Sequence, residues 1–234
     1  MLASEGPPAL GEIGQGYWIG LSGAPSPDVN VTLIDTDDPT VVTAVLSTVD
    51  STGFPTMLML AGNGTGSDVG TDWQHVGSMP FMSYDISSPH QADDARVRRA
   101  GPGDLTAVTS LMADAFGLEP DIAAAAGGPV RNPSDAACFF LVEDNDQPVS
   151  TCFASVVDDA VCIWCMSTPE RFARRGYGRT LLGHCLAEAH RLGARLGLLG
   201  ATPAGQPLYE ATGWTTLEPW QLYLKGTTSA QFSG

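Results

Sequence analysis

Hydrophobic positions along the chain fall in short blocks separated by glycine, proline and acidic residues, and the spacing inside each block identifies its element. Residues 17–23 (YWIGLSG) and 30–35 (NVTLID) have the length and composition of strands, with a Pro/Asp turn between them. Asp37 or Asp38 then caps a helix with Pro39 at its first position, which runs to about Thr52 and ends at Gly53. Residues 55–61 (PTMLMLA) read as a buried strand. A glycine-rich stretch, 62–70, leads through Trp73-Gln74-His75-Val76-Gly77 to a further strand over 80–86. Residues 1–16, rich in Gly, Pro and Glu, read as a loose lead-in, and 87–95 (SSPHQADDA) as a linker.

The rest of the chain starts with a strand at 95–99. Pro102-Gly103-Asp104 then opens a helix carrying Leu105, Val108, Leu111, Met112 and Phe116 at helical spacing. A short helix over 119–126 is broken by Gly127-Gly128. Strands follow at 137–142 and 149–156, joined by the acidic turn Glu143-Asp144-Asn145-Asp146, and Asp158-Asp159 makes the next turn. Residues 160–167 are almost all apolar, the mark of a strand covered on both faces, and Pro169 stops it. Gly176 and Gly178 allow positive φ and close backbone approach where the next helix must begin. That helix is signalled by Leu181, Leu182, Cys185, Leu186 and Ala189, with Gly193 closing it. A glycine turn feeding a helix N-terminus leaves N–H groups unpaired with the positive dipole end behind them, an anion site suited to a diphosphate. Arg174, Arg175 and Arg179 add positive charge there.

This strand–loop–helix lacks the Lys-[Ser/Thr] of a P-loop and the G-x-G-x-x-G of a dinucleotide fold. It resembles the GNAT acetyltransferase superfamily, whose [Gln/Arg]-x-x-Gly-x-[Gly/Ala] motif follows a strand ending in x-x-Pro. The match is Ala173-Arg174-Arg175-Gly176-Tyr177-Gly178 after Met166-Ser167-Thr168-Pro169, with Ala173 departing from the family's Gln/Arg. A second segment, 196–223, looks like the family's next strand, short helix and final hairpin around Gly213-Trp214. Within it PLYEATGW is similar to the family's hydrophobic-Tyr-x-x-x-Gly-[Phe/Trp] signature. The resemblance covers residues 96–234 and implies an α/β (α+β) fold: a mixed, mostly antiparallel central sheet flanked by helices. Residues 17–86 repeat part of that order, reading either as a truncated, degenerate GNAT-like half without a cofactor loop or as an unrelated α+β extension.

The family resemblance implies direct acetyl transfer from acetyl-CoA to an amine, with no metal. Loop amides of 174–179 (Arg174, Arg175, Gly176, Tyr177, Gly178 and Arg179) would hold the pyrophosphate. The pantetheine arm would add like a strand along the end of strand 160–167, at Met166, Ser167 and Thr168. Tyr209 falls on the position that commonly serves as general acid, since a phenol of pKa ~10 can protonate a thiolate of comparable basicity. Glu143 is the nominee for general base, with Glu119 as the alternative. The competing reading is a non-catalytic acyl-CoA-binding or interaction protein.

Charge narrows the partners. With 26 acidic against 11 basic residues and a net charge of −15, nucleic acid and anionic membranes are disfavoured, while an amine-bearing small molecule or protein is compatible. No apolar run approaches the ~20 residues of a membrane span, and the N-terminus lacks a secretory pattern. The five cysteines sit in apolar surroundings and read as reduced thiols of a cytoplasmic protein. Cys162-x-x-Cys165, lying in a strand, points its thiols to opposite faces. Exposed sheet edges leave a homodimer open.

Overall fold

The computed structural model describes residues 10–62, 69–87 and 94–226. Its strands are β1 (Leu10–Gly14), β2 (Tyr17–Leu21), β3 (Asn30–Ile34), β4 (Thr56–Leu60), β5 (Gln74–Asp85), β6 (Val97–Arg99), β7 (Ala137–Asp144), β8 (Gln147–Val157), β9 (Ala160–Ser167), β10 (Leu196–Gly200) and β11 (Thr215–Lys225). The helices are α1 (Pro39–Thr52), α2 (Leu105–Phe116), α3 (Pro120–Ala125), α4 (Gly128–Arg131), α5 (Tyr177–Arg191) and α6 (Gln206–Glu210). They form two compact units, one of residues 1–80 with 218–234, the other of residues 81–217.

In the first unit β1, β2 and β3 form an antiparallel meander. The return through α1 brings β4 parallel to β3, paired from Val31↔Met57 to Ile34↔Leu60. β11 lies antiparallel on the other edge of β4. Helix α1 forms where the sequence places it: the Asp38 carboxylate accepts the Thr40 N–H at 2.8 Å, Pro39 occupies the first turn, and Gly53 closes the helix at φ +69°. Its buried stripe, Val42, Val45, Leu46 and Val49, joins Ile19, Leu21, Ile34, Leu58, Leu60 and Trp73 in one core.

In the second unit β6, β7, β8 and β9 are successive antiparallel neighbours. Helix α5 then returns the chain so that β10 runs parallel to β9, and residues 81–85 of β5 close the far edge of β10 antiparallel. The turn between β7 and β8 puts Asn145 and Asp146 at φ +51° and +59°, a conformation these short polar side chains tolerate. Tyr177, Leu181, Leu182, Cys185, Leu186 and Ala189 form the buried face of α5. They pack into a core with Phe139, Leu141, Cys152, Val161 and Leu199.

Three elements depart from the sequence reading. Residues 10–14 are strand β1, not a loose lead-in; residues 1–9 lie outside the described residues. β1 is an edge strand held by main-chain pairing to β2 with little burial, so no hydrophobic pattern announces it. β5 begins at Gln74 rather than 80, again through half-exposed positions. The linker expected at 87–95 falls mostly on undescribed residues. In place of a final hairpin, residues 215–225 form the single strand β11, through Pro219; a proline needs only a position whose missing N–H has no ladder partner. The first unit therefore takes its closing strand, β11 beside β4, from beyond the second, whereas the second closes on its own first residues, the end of β5 beside β10.

Removing the cap of α1 tests the assignment of that helix. Asp38→Ala is expected to lower stability by about 1 kcal/mol, read as a reduced urea midpoint at unchanged slope.

Candidate functional site

The site is set by where two parallel strands part. β10 pairs with β9 only through Leu196↔Ala160, Gly197↔Val161 and Leu198↔Cys162, although β9 runs on to Ser167 and β10 to Gly200. On its other edge β9 stays paired to β8, but with a slip: Thr151 faces Ser167 while Phe153 faces Trp164, so β9 carries one extra residue there. Cys165 absorbs it at φ +51°. From Ile163 onward one edge of β9 thus faces a gap with main-chain groups no strand pairs. The regular side-chain alternation on which the opposite-face placement of Cys162 and Cys165 relies breaks at this bulge, and Cys165 lies packed against the core with its thiol pushed up to about 12 by burial.

The gap runs into the turn that opens α5. A short 3-10 turn, residues 170–172, buries Phe172 and leads to Arg174 at φ +61° and Gly176 at φ +85°, the residue preceding α5. No side chain caps the helix, so the N–H groups of its first turn face outward. Gly178 is required by close approach: a Cβ there would come within 3.2 Å of Leu208 Cδ2 and 3.5 Å of Met166 Cε. Strand β9, the first turn of α5 and helix α6 therefore converge on this glycine. Arg174, Arg175 and Arg179 are exposed, and no ion pair engages them among the described residues. Tyr177 differs from its neighbours. Its ring is buried, its hydroxyl donates to Asp144 in the β7–β8 turn, and the Arg96 guanidinium stands 5.9 Å from its centroid. Only its main chain can meet a ligand at the turn.

Tyr209 lies on the other side of the gap. Pro207 starts α6, Gly213 turns the chain at φ +92°, and Trp214 seals the helix from below, its ring 6.0 Å from that of Tyr209. The Tyr209 hydroxyl donates to Met166 Sδ at 3.4 Å, which sets it against the end of β9. Burial, with a smaller contribution from Cys152, raises its pKa above that of a free phenol.

The structure brings Tyr209, Met166, Thr168 and Gly178 together, with Gly176 and the three arginines at the mouth. It does not bring Glu143 to them. Glu143 ends β7 with β8 between it and β9, two strand spacings or ~10 Å from the gap. Its carboxylate accepts from Arg98 at 2.7 and 3.0 Å, and Arg98 also grips Asp104. Glu119 precedes α3, exposed and without a capping bond. The bulge at Cys165 and a buried hydroxyl pair, Ser150 with Thr168, had no sequence signal.

Residues 135–216 match the family model described as an acetyltransferase (GNAT) domain, and this segment holds β7 to β10, α5, α6 and every group converging on the gap. A GCN5-related N-acetyltransferase from Kribbella flavida is 12% identical, with a TM-score of 0.66 covering 95% of this chain and 91% of that one. A functionally unknown conserved protein from Staphylococcus epidermidis is 12% identical, with a TM-score of 0.64 over 94% of this chain and 95% of that one. A GCN5-related N-acetyltransferase from Sphaerobacter thermophilus, 14% identical, gives 0.57 over 90% and 76%. These likenesses are in fold. No curated protein matches the chain in sequence.

The buried phenol gives a pH signature. A folded-state pKa above the unfolded value means that Tyr209 favours the folded state fully below pH ~10 and loses this contribution as pH rises toward its folded pKa. Tyr209→Phe should therefore flatten the loss of stability above pH 10 in denaturant titrations, and should remove a phenol that ionises above the range of a free tyrosine in the ultraviolet titration of the folded protein.

Proposed function

We propose that the chain is an acetyl-CoA-dependent N-acetyltransferase, transferring an acetyl group directly to an amine of a small molecule or protein. The observation that carries this reading is the gap between β9 and β10, which opens an unpaired strand edge directly onto the uncapped, arginine-lined start of α5. An extended pantetheine arm needs such an edge, and a diphosphate needs such a turn. The first-turn amides of α5 and the residues Arg174, Arg175 and Arg179 hold the diphosphate. Met166, Ser167 and Thr168 border the arm, whose thioester then reaches the bulge beside Tyr209.

In the reaction the amine nitrogen bonds to the thioester carbonyl carbon and the C–S bond breaks. The proton released by the amine passes to water, the departing thiolate takes one from Tyr209, and the Tyr209 phenolate is reprotonated from water. Burial makes that phenol a weaker acid than a free one, so its part in the transfer rests on position: its approach to Met166 holds it over the strand end. Glu143 has no part in this scheme, because Arg98 occupies its carboxylate away from the gap. The acceptor is an amine by the chemistry of the transfer. No helix among the described residues is long and apolar enough to cross a membrane, and the five free thiols suit a reducing cytoplasm.

The first unit is read as a degenerate half of the same design. It has the same strand–helix–parallel strand order, but β3 and β4 stay paired to their ends at Ile34↔Leu60, and the connection 35–38 is Asp-Thr-Asp-Asp. A sheet without a gap and a turn with three carboxylates offer nothing to an acyl-CoA.

Calorimetric titration of acetyl-CoA tests the proposal. The wild type is expected to bind one equivalent per chain at micromolar affinity, and Gly176→Asp, which adds a Cβ at φ +85° and a negative charge, to abolish binding. Tyr209→Phe should retain binding and lose turnover by about 100-fold or more with an accepted amine. Absent binding by the wild type would sink the proposal; binding without turnover on any amine would favour the non-catalytic acyl-CoA-binding reading.

A further inference from the structure

Beneath the open strand end lies a polar contact that the scheme above leaves unused. Ser150, on β8, is fully buried, and its Oγ lies 3.0 Å from the Ser167 carbonyl oxygen and 2.8 Å from Thr168 Oγ1. A serine hydroxyl has one proton. Given to the Ser167 carbonyl, it leaves Ser150 Oγ to accept from the Thr168 hydroxyl, and both contacts are satisfied at once. The arrangement has a directional consequence. In a trans peptide the carbonyl of one residue and the N–H of the next point in opposite directions. Ser150 draws the Ser167 carbonyl toward β8, so the Thr168 N–H of the same peptide points away from β8, toward the side where β10 has left β9. Among the described residues that N–H has no acceptor.

We propose that Ser150 is a positioning residue that aims the Thr168 N–H into the gap as a donor for the amide carbonyl of a pantetheine arm. The idea rests on the acyl-CoA reading of the site, and it assigns a task to a side chain that touches no ligand. Pro169 ends the ladder. Thr151↔Ser167 is its last pair, so β8 already holds this residue's main chain, and Ser150 adds a second hold on the Ser167 carbonyl where the chain leaves the sheet. The Thr168 side chain also lies beside the helix turn, its Oγ1 3.7 Å from where a Cβ on Gly178 would stand.

The test separates the arm from the nucleotide. CoA and 3′-phospho-ADP, which keeps the diphosphate but has no pantetheine, are titrated into the wild type, Ser150→Ala and Ser150→Thr. Ser150→Ala is expected to weaken CoA about five- to tenfold, the worth of one oriented neutral hydrogen bond, and to leave 3′-phospho-ADP within about twofold. Ser150→Thr, which keeps the hydroxyl, should restore CoA binding. In turnover, the alanine variant should raise KM for acetyl-CoA with kcat little changed. Equal weakening of both ligands would show a general disturbance of the fold and overturn the proposal, as would unchanged CoA affinity. If Ser150→Ala does not fold, Ser150→Cys gives the same comparison with a much weaker donor. A wild type that binds CoA while the two ligands respond alike defeats only this inference; a wild type that binds neither defeats the acyl-CoA reading and this inference with it.

Discussion

Everything at the site follows from three residue pairs and the absence of a fourth. β9 and β10 pair through Cys162 and Leu198, and then the extra residue at Cys165 bends β9 while β10 stays paired to β5 as far as Gly200↔Phe81. A parallel sheet pair that stayed zipped would have no free main-chain edge at its carboxyl end. A pair that parted earlier would lose the shared core beneath it, where Val161, Leu199 and the apolar face of α5 are buried. The bulge costs backbone strain, because a non-glycine residue at positive φ is disfavoured by about 1 kcal/mol or more. The close packing around it holds that conformation in place. Met166, Thr168, Gly178 and Leu208 meet within van der Waals distance on one side, and β8 fixes the other.

Electrostatics then sorts the charges. The chain is strongly acidic, yet Arg174, Arg175 and Arg179 stand exposed beside the start of α5 without carboxylate partners among the described residues. The remaining arginines of the second unit are mostly occupied: Arg96 with Asp94, Arg98 with Asp104 and Glu143, Arg99 with Asp135. Arg96 holds the Asp94 carboxyl down to about 2. Pairing of this kind contributes little to stability where it is solvent-exposed, but it leaves one uncompensated positive patch on the second unit, at the mouth of the gap.

Much of this was legible in the sequence. Helix α1 was readable from Asp38, Pro39 and Gly53, and α5 from its apolar stripe, because caps and periodicity are local. Gly176, Gly178, Tyr209 and Trp214 were readable through a family resemblance, since backbone geometry at a turn and a buried aromatic leave few alternatives. The bulge at Cys165 was not legible: it depends on the register between β8 and β9, which no local pattern encodes. Nor was the capture of Glu143 by Arg98, two residues that lie 45 positions apart and meet only because β6 pairs with β7. Edge strand β1 and the exposed start of β5 escaped notice for the opposite reason, being held by main-chain pairing with too little burial to leave a hydrophobic signature.

The distance in sequence between β4 and its closing strand bears on how the chain comes off the ribosome. β4 is made well before its antiparallel neighbour β11, so one edge of β4 stays bare until the whole of the second unit has been made. The half that is made first thus cannot finish first, and its apolar strand Thr56–Leu60 must wait for β11 while resisting other partners. A nascent chain stalled or trimmed before residue 215 would carry an intact glycine turn and most of the second core, yet leave the first sheet permanently unfinished. Quality control acting on exposed strand edges would detect the loss of β11 in the half of the protein most distant from it in sequence.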